Sequence, residues 1–299
     1  MDWMDLEKDY EYFKKLWEYH RPGGMKHTAE IWNERAQDWK TELEEDTLFR
    51  RQLDERVDSV AKYLRNRGLL TADTTVVDIG CGPGRFVVDF AKTAGHATGI
   101  DISSEMLNMG KSLGRERGIT NLSFVECDFK NMDVDEAGWT NKFDLVFSSM
   151  SPATGNAESL EKLLKMSRGY CFNCSPVYGD DLLESQIAQD VFGEEKNPRP
   201  LWDQRWFYSL FNLLWLRGYL PETYYHTQEA RAEVEISQNL IAYYTSFFQR
   251  RFPEMEDMEK SIGDYLRGKA DAEGKICQES KRVYGWLLWD VRQNMKGII

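Results

Sequence analysis

The sequence predicts an α/β fold, a mostly parallel sheet carrying helices on both faces. Three observations predict it. The run Val76 to Phe86, V-V-D-I-G-C-G-P-G-R-F, joins a short apolar, β-branched stretch to a turn with glycine at every second position. Beyond Gly84, the residues Phe86, Val87, Phe90 and Ala91 recur at helical spacing, so the unit reads strand, glycine turn, helix. From there to about Ser175, strand-like and helix-like segments alternate, which implies parallel strands with ligands at their carboxyl ends.

The elements follow in order. Leu6, Tyr10, Phe13 and Trp17 make one amphipathic stripe, ended by Pro22-Gly23-Gly24. Trp32, Ala36, Trp39 and Leu43 make a second, and Val57, Val60, Ala61 and Leu64 a third, closed by Gly68. The first strand is expected over Thr74 to Ile79, with a helix to Ala94, and the second over His96 to Asp101. Ser103 is placed to cap a helix from Glu105 to Arg117 that Gly118 ends. The third strand, Asn121 to Cys127, runs into Asp128-Phe129, and the fourth, K-F-D-L-V-F-S-S-M, into Ser151-Pro152-Ala153. A helix from Glu158 to Ser167 leads to a fifth strand, Tyr170 to Ser175. Past Gly179 come a strongly apolar helix around Trp206 to Leu214 and a strand from Thr223 to Ile236. Two helices follow, Asn239 to Phe252 and Glu254 to Arg267, and a last strand, Arg282 to Val291.

Composition narrows the function. With 299 residues, a net charge of −12 and no dense Lys/Arg cluster, the chain lacks the basic footprint of a nucleic-acid enzyme. Its beginning, M-D-W-M-D-L-E-K-D-Y, is acidic rather than basic-then-apolar, and no apolar run approaches the roughly 20 residues of a membrane span. A cytoplasmic protein with no membrane partner is expected. The five cysteines are odd in number, and Cys171 and Cys174, though spaced C-x-x-C, fall three apart on a strand and so point to opposite faces. No second pair completes a metal site, and none is expected.

The glycine turn carries the chemistry. It reads G-x-G-x-G at Gly80, Gly82 and Gly84, with Arg85 where a dinucleotide fingerprint has its third glycine. Asp78 stands two positions before it, and Asp101 seventeen past Gly84 at the end of the second strand. From about Leu70 to Gly179 this pattern closely resembles the class I S-adenosylmethionine-dependent methyltransferases. The run G-I-D-I-S-S-E-M-L resembles their small-molecule branch, which includes the ubiquinone/menaquinone methyltransferases, without carrying the quinone substrate over. The resemblance implies a Rossmann-like seven-stranded sheet, mostly parallel with an antiparallel last strand, plus a helical cap. It divides the chain into a cap over 1–70, a cofactor-binding core over 71–197, and a completion of the sheet with helical insertions over 198–299.

The resemblance also implies S-adenosylmethionine as cofactor, leaving as S-adenosylhomocysteine, and a set of contacts. Backbone N–H groups from Gly80 through Cys81 and Gly82 to Gly84 are expected to meet the methionine carboxylate. Asp78 falls to the ammonium, Asp101 to the ribose hydroxyls, Ile102 and Met106 to the adenine face, and Asp128 with Phe129 to its amino edge. Ser148 is expected to face the cofactor across the switch point. Trp32, Ser149, Met150, Trp202 and Trp206 are the candidates for the acceptor pocket. The aromatic surface between Pro198 and Arg267 either roofs that pocket, fills a core or makes an interface. No catalytic base is nominated, because His20, His27, His96 and His226 all lie off the cofactor motifs. The fourth-strand end, Ser148 to Ala153, departs from the acid-or-Asn, Pro-Pro, aromatic pattern of amino-methylating DNA enzymes, so a small-molecule acceptor is favoured. A protein or tRNA methyltransferase, and a non-catalytic cofactor-binding sensor or partner subunit, are the alternatives.

Overall fold

The computed structural model describes residues 6–18, 27–44, 48–194, 205–249 and 251–295. Pro22-Gly23-Gly24, His20 and Trp202 lie outside them. The chain forms two compact units, one of Met1–Pro176, Gln204–His226 and Tyr284–Ile299, the other of Val177–Asp203 and Thr227–Val283.

Helices α1 (Leu6–Glu18), α2 (Ala29–Glu44) and α3 (Leu48–Asn66) precede the sheet. Then come β1 (Thr75–Ile79), α4 (Arg85–Phe90), β2 (His96–Asp101), α5 (Ser104–Glu116), β3 (Leu122–Glu126), β4 (Phe143–Ser149), α6 (Ala157–Met166) and β5 (Ser167–Asp181). The rest is α7 (Leu182–Asp190), α8 (Arg205–Leu216), β6 (Glu222–Glu235), α9 (Gln238–Gln249), α10 (Met258–Lys269) and β7 (Lys275–Asp290). The seven strands lie in the order β3-β2-β1-β4-β5-β7-β6, with β7 antiparallel, so the expected sheet is present. The pairings of β2 with β3 and β1, of β1 with β4, and of β4 with β5 are all parallel. Strand order reverses at β1, which puts the crevice for a ligand off the carboxyl ends of β1 and β4. β6 is an edge strand.

The core of the first unit is aromatic. Phe147 of β4 stacks face to face on Phe172 of β5 with ring centroids 5.2 Å apart, and meets Phe86 at 4.8 Å and Phe90 at 4.9 Å. Val57, Val60, Ala61 and Leu64 of α3 join the same cluster, so the third predicted stripe packs on the sheet. At the amino ends of the strands, Asp144 binds the sheet together. Its carboxylate accepts from Thr75 N at 2.8 Å and Thr75 Oγ1 at 2.9 Å, and from Arg168 Nε at 2.7 Å and Nη2 at 2.9 Å. The Arg168 guanidinium holds it down to about 2.

The structure corrects several boundaries. The helix after the glycine turn stops at Phe90 instead of Ala94, because the Asn121 amide draws the chain into a turn, donating at 2.8 Å to both Ala91 O and Ala94 O. β5 and β7 are each much longer than their apolar runs, since their outer halves are polar. Helix α7 was not legible: it has only three buried residues, Leu183, Ile187 and Ala188, too few for a stripe.

In the second unit, those three residues form a core with Ile241, Tyr244 and Phe248 of α9, Met258, Ile262 and Leu266 of α10, and Ile276. Phe192 stacks on Phe248 at 4.6 Å and on Phe252 at 4.5 Å. Tyr244 is therefore core, while Tyr243 is exposed. All five cysteines are free, and Cys171 and Cys174 face opposite sides of β5 as expected: Cys171 Sγ points to Leu163 O of α6, Cys174 into the α3-side cluster.

Truncating the central ring tests this account. Phe147→Ala should cost about 3–5 kcal/mol in denaturant unfolding, since it removes one ring from three ring contacts in a closed core.

Candidate functional site

The turn after β1 is fixed by its own hydrogen bonds. Gly80 N and Cys81 N both donate to Ile100 O of β2, at 2.8 and 2.9 Å. Gly82 N donates to Asp101 Oδ2 at 2.8 Å, and Gly84 N to Cys81 O at 3.1 Å. Pro83 has no N–H. These amides, expected to meet a ligand carboxylate, are hydrogen-bonded within the protein. The next amides belong to the first turn of α4, where Gly84 caps without any side-chain acceptor. Gly80 is obligatory here. Its φ is +69°, and an added Cβ would stand 2.0 Å from Ser151 Oγ, so the loop after β4 closes directly onto the β1 turn. Above Gly82 the space is open, with nothing within 4 Å of an added Cβ.

Two acids face this turn. Asp78 is 2% exposed, and none of the described residues donates a hydrogen bond to its carboxylate. Burial, and next the charge of Asp101, push it well above the ordinary carboxylate range. Asp101 accepts from Ser103 N through Oδ1 at 2.9 Å and from Gly82 N through Oδ2 at 2.8 Å. Burial nevertheless raises it more than those bonds lower it. A buried carboxylate left without donors is costly, and a second acid beside it adds repulsion. Such a site fits a ligand that brings a cation and hydroxyl donors. S-adenosylmethionine does: its ammonium suits Asp78, and its ribose hydroxyls suit the remaining lone pairs of Asp101.

The other expected residues divide. Ile102 is half-buried next to Asp101, and Cys81 lies in the turn, its thiol pushed up by burial. Asp128 is half-buried and closes its own turn, accepting from Lys130 N at 3.1 Å and Asn131 Nδ2 at 2.7 Å. Met106, Phe129 and Ser148 are packed inside and present no surface. Ser148 lies 3.0 Å from Thr154 Oγ1, whose own proton goes to Ser151 O. Those three do not face the crevice as the sequence suggested. Of the pocket candidates, Ser149 is half-buried at the end of β4 and Met150 is 40% exposed with φ +57°. Trp206 of α8 lies against Gly155 in the loop after β4, at 3.2 Å from an added Cβ there. Trp32 of α2 stacks on His27.

Sequence reasoning missed Asn33. Its Oδ1 accepts from Ser103 Oγ at 2.7 Å and Glu105 N at 3.3 Å, docking α2 onto the start of α5 beside Asp101. The Ser103 cap was legible from its position; a partner 70 residues earlier was not. Among the described residues no group of three His, Cys, Asp or Glu side chains could hold a metal ion.

Residues 70–210 match a family described as a methyltransferase domain. Among curated proteins, the chain is 29% identical over 110 residues to the 23S rRNA (uracil(1939)-C(5))-methyltransferase of Alcanivorax borkumensis, covering 36% of this chain and 24% of that protein. It is 33% identical over 101 residues to the sterol 24-C-methyltransferase of Eremothecium gossypii, covering 33% of this chain and 26% of that protein. The chain thus spans about a quarter of the length of the curated relatives it matches. Among solved structures, magnesium protoporphyrin IX methyltransferase from Synechocystis, with bound S-adenosylhomocysteine, superposes with a TM-score of 0.49 at 13% identity, covering 87% of this chain and 96% of that one.

The unpaired acid predicts a pH signature. A carboxyl raised in the folded state binds its proton more tightly there, so stability falls as pH rises from the ordinary Asp value through the raised one. Asp78→Asn should therefore stabilise the ligand-free protein near neutral pH by about 1 kcal/mol or more, raising Tm by ~2–4 °C. The gain should shrink toward zero below the ordinary Asp value, as read in thermal melts across pH.

Proposed function

We propose, from the premise that this chain carries a class I S-adenosylmethionine-dependent methyltransferase domain, that it methylates a small-molecule acceptor by in-line displacement. The observation that carries the reading is the buried, donor-free carboxylate of Asp78 beside Asp101 at the glycine turn. S-adenosylmethionine supplies a methyl group on a sulfonium that is already a good leaving group. What the chain supplies is placement. Asp78 holds the ammonium, Asp101 the ribose hydroxyls, and the first turn of α4 the carboxylate. Trp206, resting on the loop after β4, and the helices α1 and α2 cover the crevice and keep water from it. Alignment of this kind supplies much of the catalysis of a displacement, so no base is assigned. A thiol relay is disfavoured, since burial raises the Cys81 thiol and pushes Cys174 up to about 11, leaving both protonated at neutral pH.

The acidic balance of the chain supports a small molecule over RNA. The rRNA methyltransferase among the curated relatives supports an RNA acceptor as the second reading, and this chain spans a quarter of that protein. The reading takes residues 1–70 and 198–299 as the source of specificity around the core at 71–197, and a reducing, cytoplasmic setting, in keeping with five unpaired cysteines.

Calorimetry should find S-adenosylmethionine bound with micromolar-range affinity, and Asp101→Ala should weaken it by about 1–3 kcal/mol. NADH binding without any response to S-adenosylmethionine would overturn the reading. For the acceptor, the protein is given methyl-labelled S-adenosylmethionine with either a metabolite extract or total RNA. Label is expected in the small-molecule fraction; label in RNA alone puts the second reading in its place.

A further inference from the structure

Several arginines of the first unit pair with a carboxylate. Arg65 pairs with Asp89, Arg67 with Glu222, Arg85 with Asp54, Arg168 with Asp144, Arg217 with Glu161 and Arg292 with Asp290. Arg56, on the face of α3 turned to the sheet, has no carboxylate partner among the described residues, in a chain with 50 acids against 38 bases. Its Nη1 donates to Tyr284 OH at 3.1 Å, and its guanidinium lies 5.1 Å from the Tyr284 ring centroid. Its Nε is buried and makes no hydrogen bond.

Other unpaired donors gather around it. Ser149 Oγ and Trp286 Nε1 are buried without a hydrogen-bond partner, and both, with the Arg56 charge, lower the thiol of Cys174 against the larger effect of its burial. His226 Nε2 is likewise unsatisfied; its ring stacks on Trp286 at 5.3 Å, and Glu55 Oε1 is 3.8 Å away. A native fold leaves few buried polar atoms unpaired, because each is destabilising.

The cluster sits where an acceptor must enter. Ser149 ends β4 and pairs in register with Cys174 of β5. On α3, Asp54 reaches Arg85 directly behind the glycine turn, while Arg56 two residues on reaches Tyr284 of β7. Arg56 thus lies by β7, next to the end of β5 that pairs with the end of β4. With Nη1 given to Tyr284, the Nε–Nη2 edge remains, the edge that grips a carboxylate or phosphate with two parallel hydrogen bonds.

We propose that Arg56 is the residue that recognises an anionic group, a carboxylate or a phosphate, on the small-molecule acceptor, with Ser149 and Trp286 as neighbouring donors. The inference rests on the methyl-transfer reading above and adds the charge of the acceptor to it.

The test titrates S-adenosylhomocysteine-saturated protein in a calorimeter with benzoate, phenyl phosphate and the neutral benzamide. At least one anion should bind, the better one telling carboxylate from phosphate, and benzamide should bind at least about tenfold more weakly. Arg56→Gln should weaken the anion at least about tenfold and leave S-adenosylhomocysteine affinity unchanged, while Arg56→Lys, which keeps the charge without the fork, falls between. Absence of anion binding by the wild-type complex, or equal binding by Arg56→Gln, overturns the proposal and leaves the methyl-transfer reading standing. If Arg56→Gln also loses S-adenosylhomocysteine, Arg56→Lys decides: a weakened anion with the cofactor product still bound supports the proposal, and an unchanged anion overturns it. Loss of S-adenosylhomocysteine in both variants overturns it too, because Arg56 would then serve the cofactor. Failure of the wild type to bind S-adenosylhomocysteine fells the methyl-transfer reading, and this inference with it.

Discussion

The rest of this structure depends on how its acids are treated at the two ends of the sheet. At the amino ends, Asp144 is surrounded by donors from Thr75 and Arg168 and is held far into its ionised form. At the carboxyl ends, Asp78 has none among the described residues, and Asp101 has backbone donors that do not offset its burial. The same residue type closes one end of the fold and leaves the other incomplete. The glycine turn sustains the difference. By sending its amides to Ile100 O and Asp101, it fixes the geometry around the acids without neutralising Asp78. A polar site kept partly unsatisfied is preorganised for a ligand that completes it.

Helix α3 carries this arrangement from the amino-terminal helices to the sheet. Its apolar stripe packs beneath, and its charged residues reach Arg85 and Asp89 on α4 and Tyr284 on β7. A helix tied to both sides of the crevice positions whatever side chains it presents there far more firmly than a surface loop would.

Much of this was legible in the sequence, and the boundary is physical. The β1 turn, Asp78, Asp101 and the Ser103 cap are specified by neighbours within a few residues, so spacing revealed them. The opposite faces of Cys171 and Cys174 followed from strand periodicity alone. What was not legible depends on distant chain. The turn amides find Ile100 O only because β2 pairs beside β1, with Ile79 opposite Ile100. Ser148 turns inward because the loop after β4 folds back and brings Thr154 to it. Asn33 reaches Ser103, and Arg56 reaches Tyr284, from helices whose docking no local pattern encodes. Helix α7 and the polar halves of β5 and β7 carry too weak an apolar rhythm to read.

The edge position of β6 has a consequence for association. Fourteen residues of outer strand expose a row of backbone groups that another chain could extend. On one face of that strand, Glu229, Arg231, Glu233 and Glu235 are all exposed, and two of them are already engaged across to β7, Glu229 with Lys281 at 2.6 Å and Arg231 with Glu279 at 3.0 Å. A strand arriving from a second copy would have to crowd this charged row and strip its water. The longer of the two edges of the described sheet is therefore also a poor template for self-templated β growth.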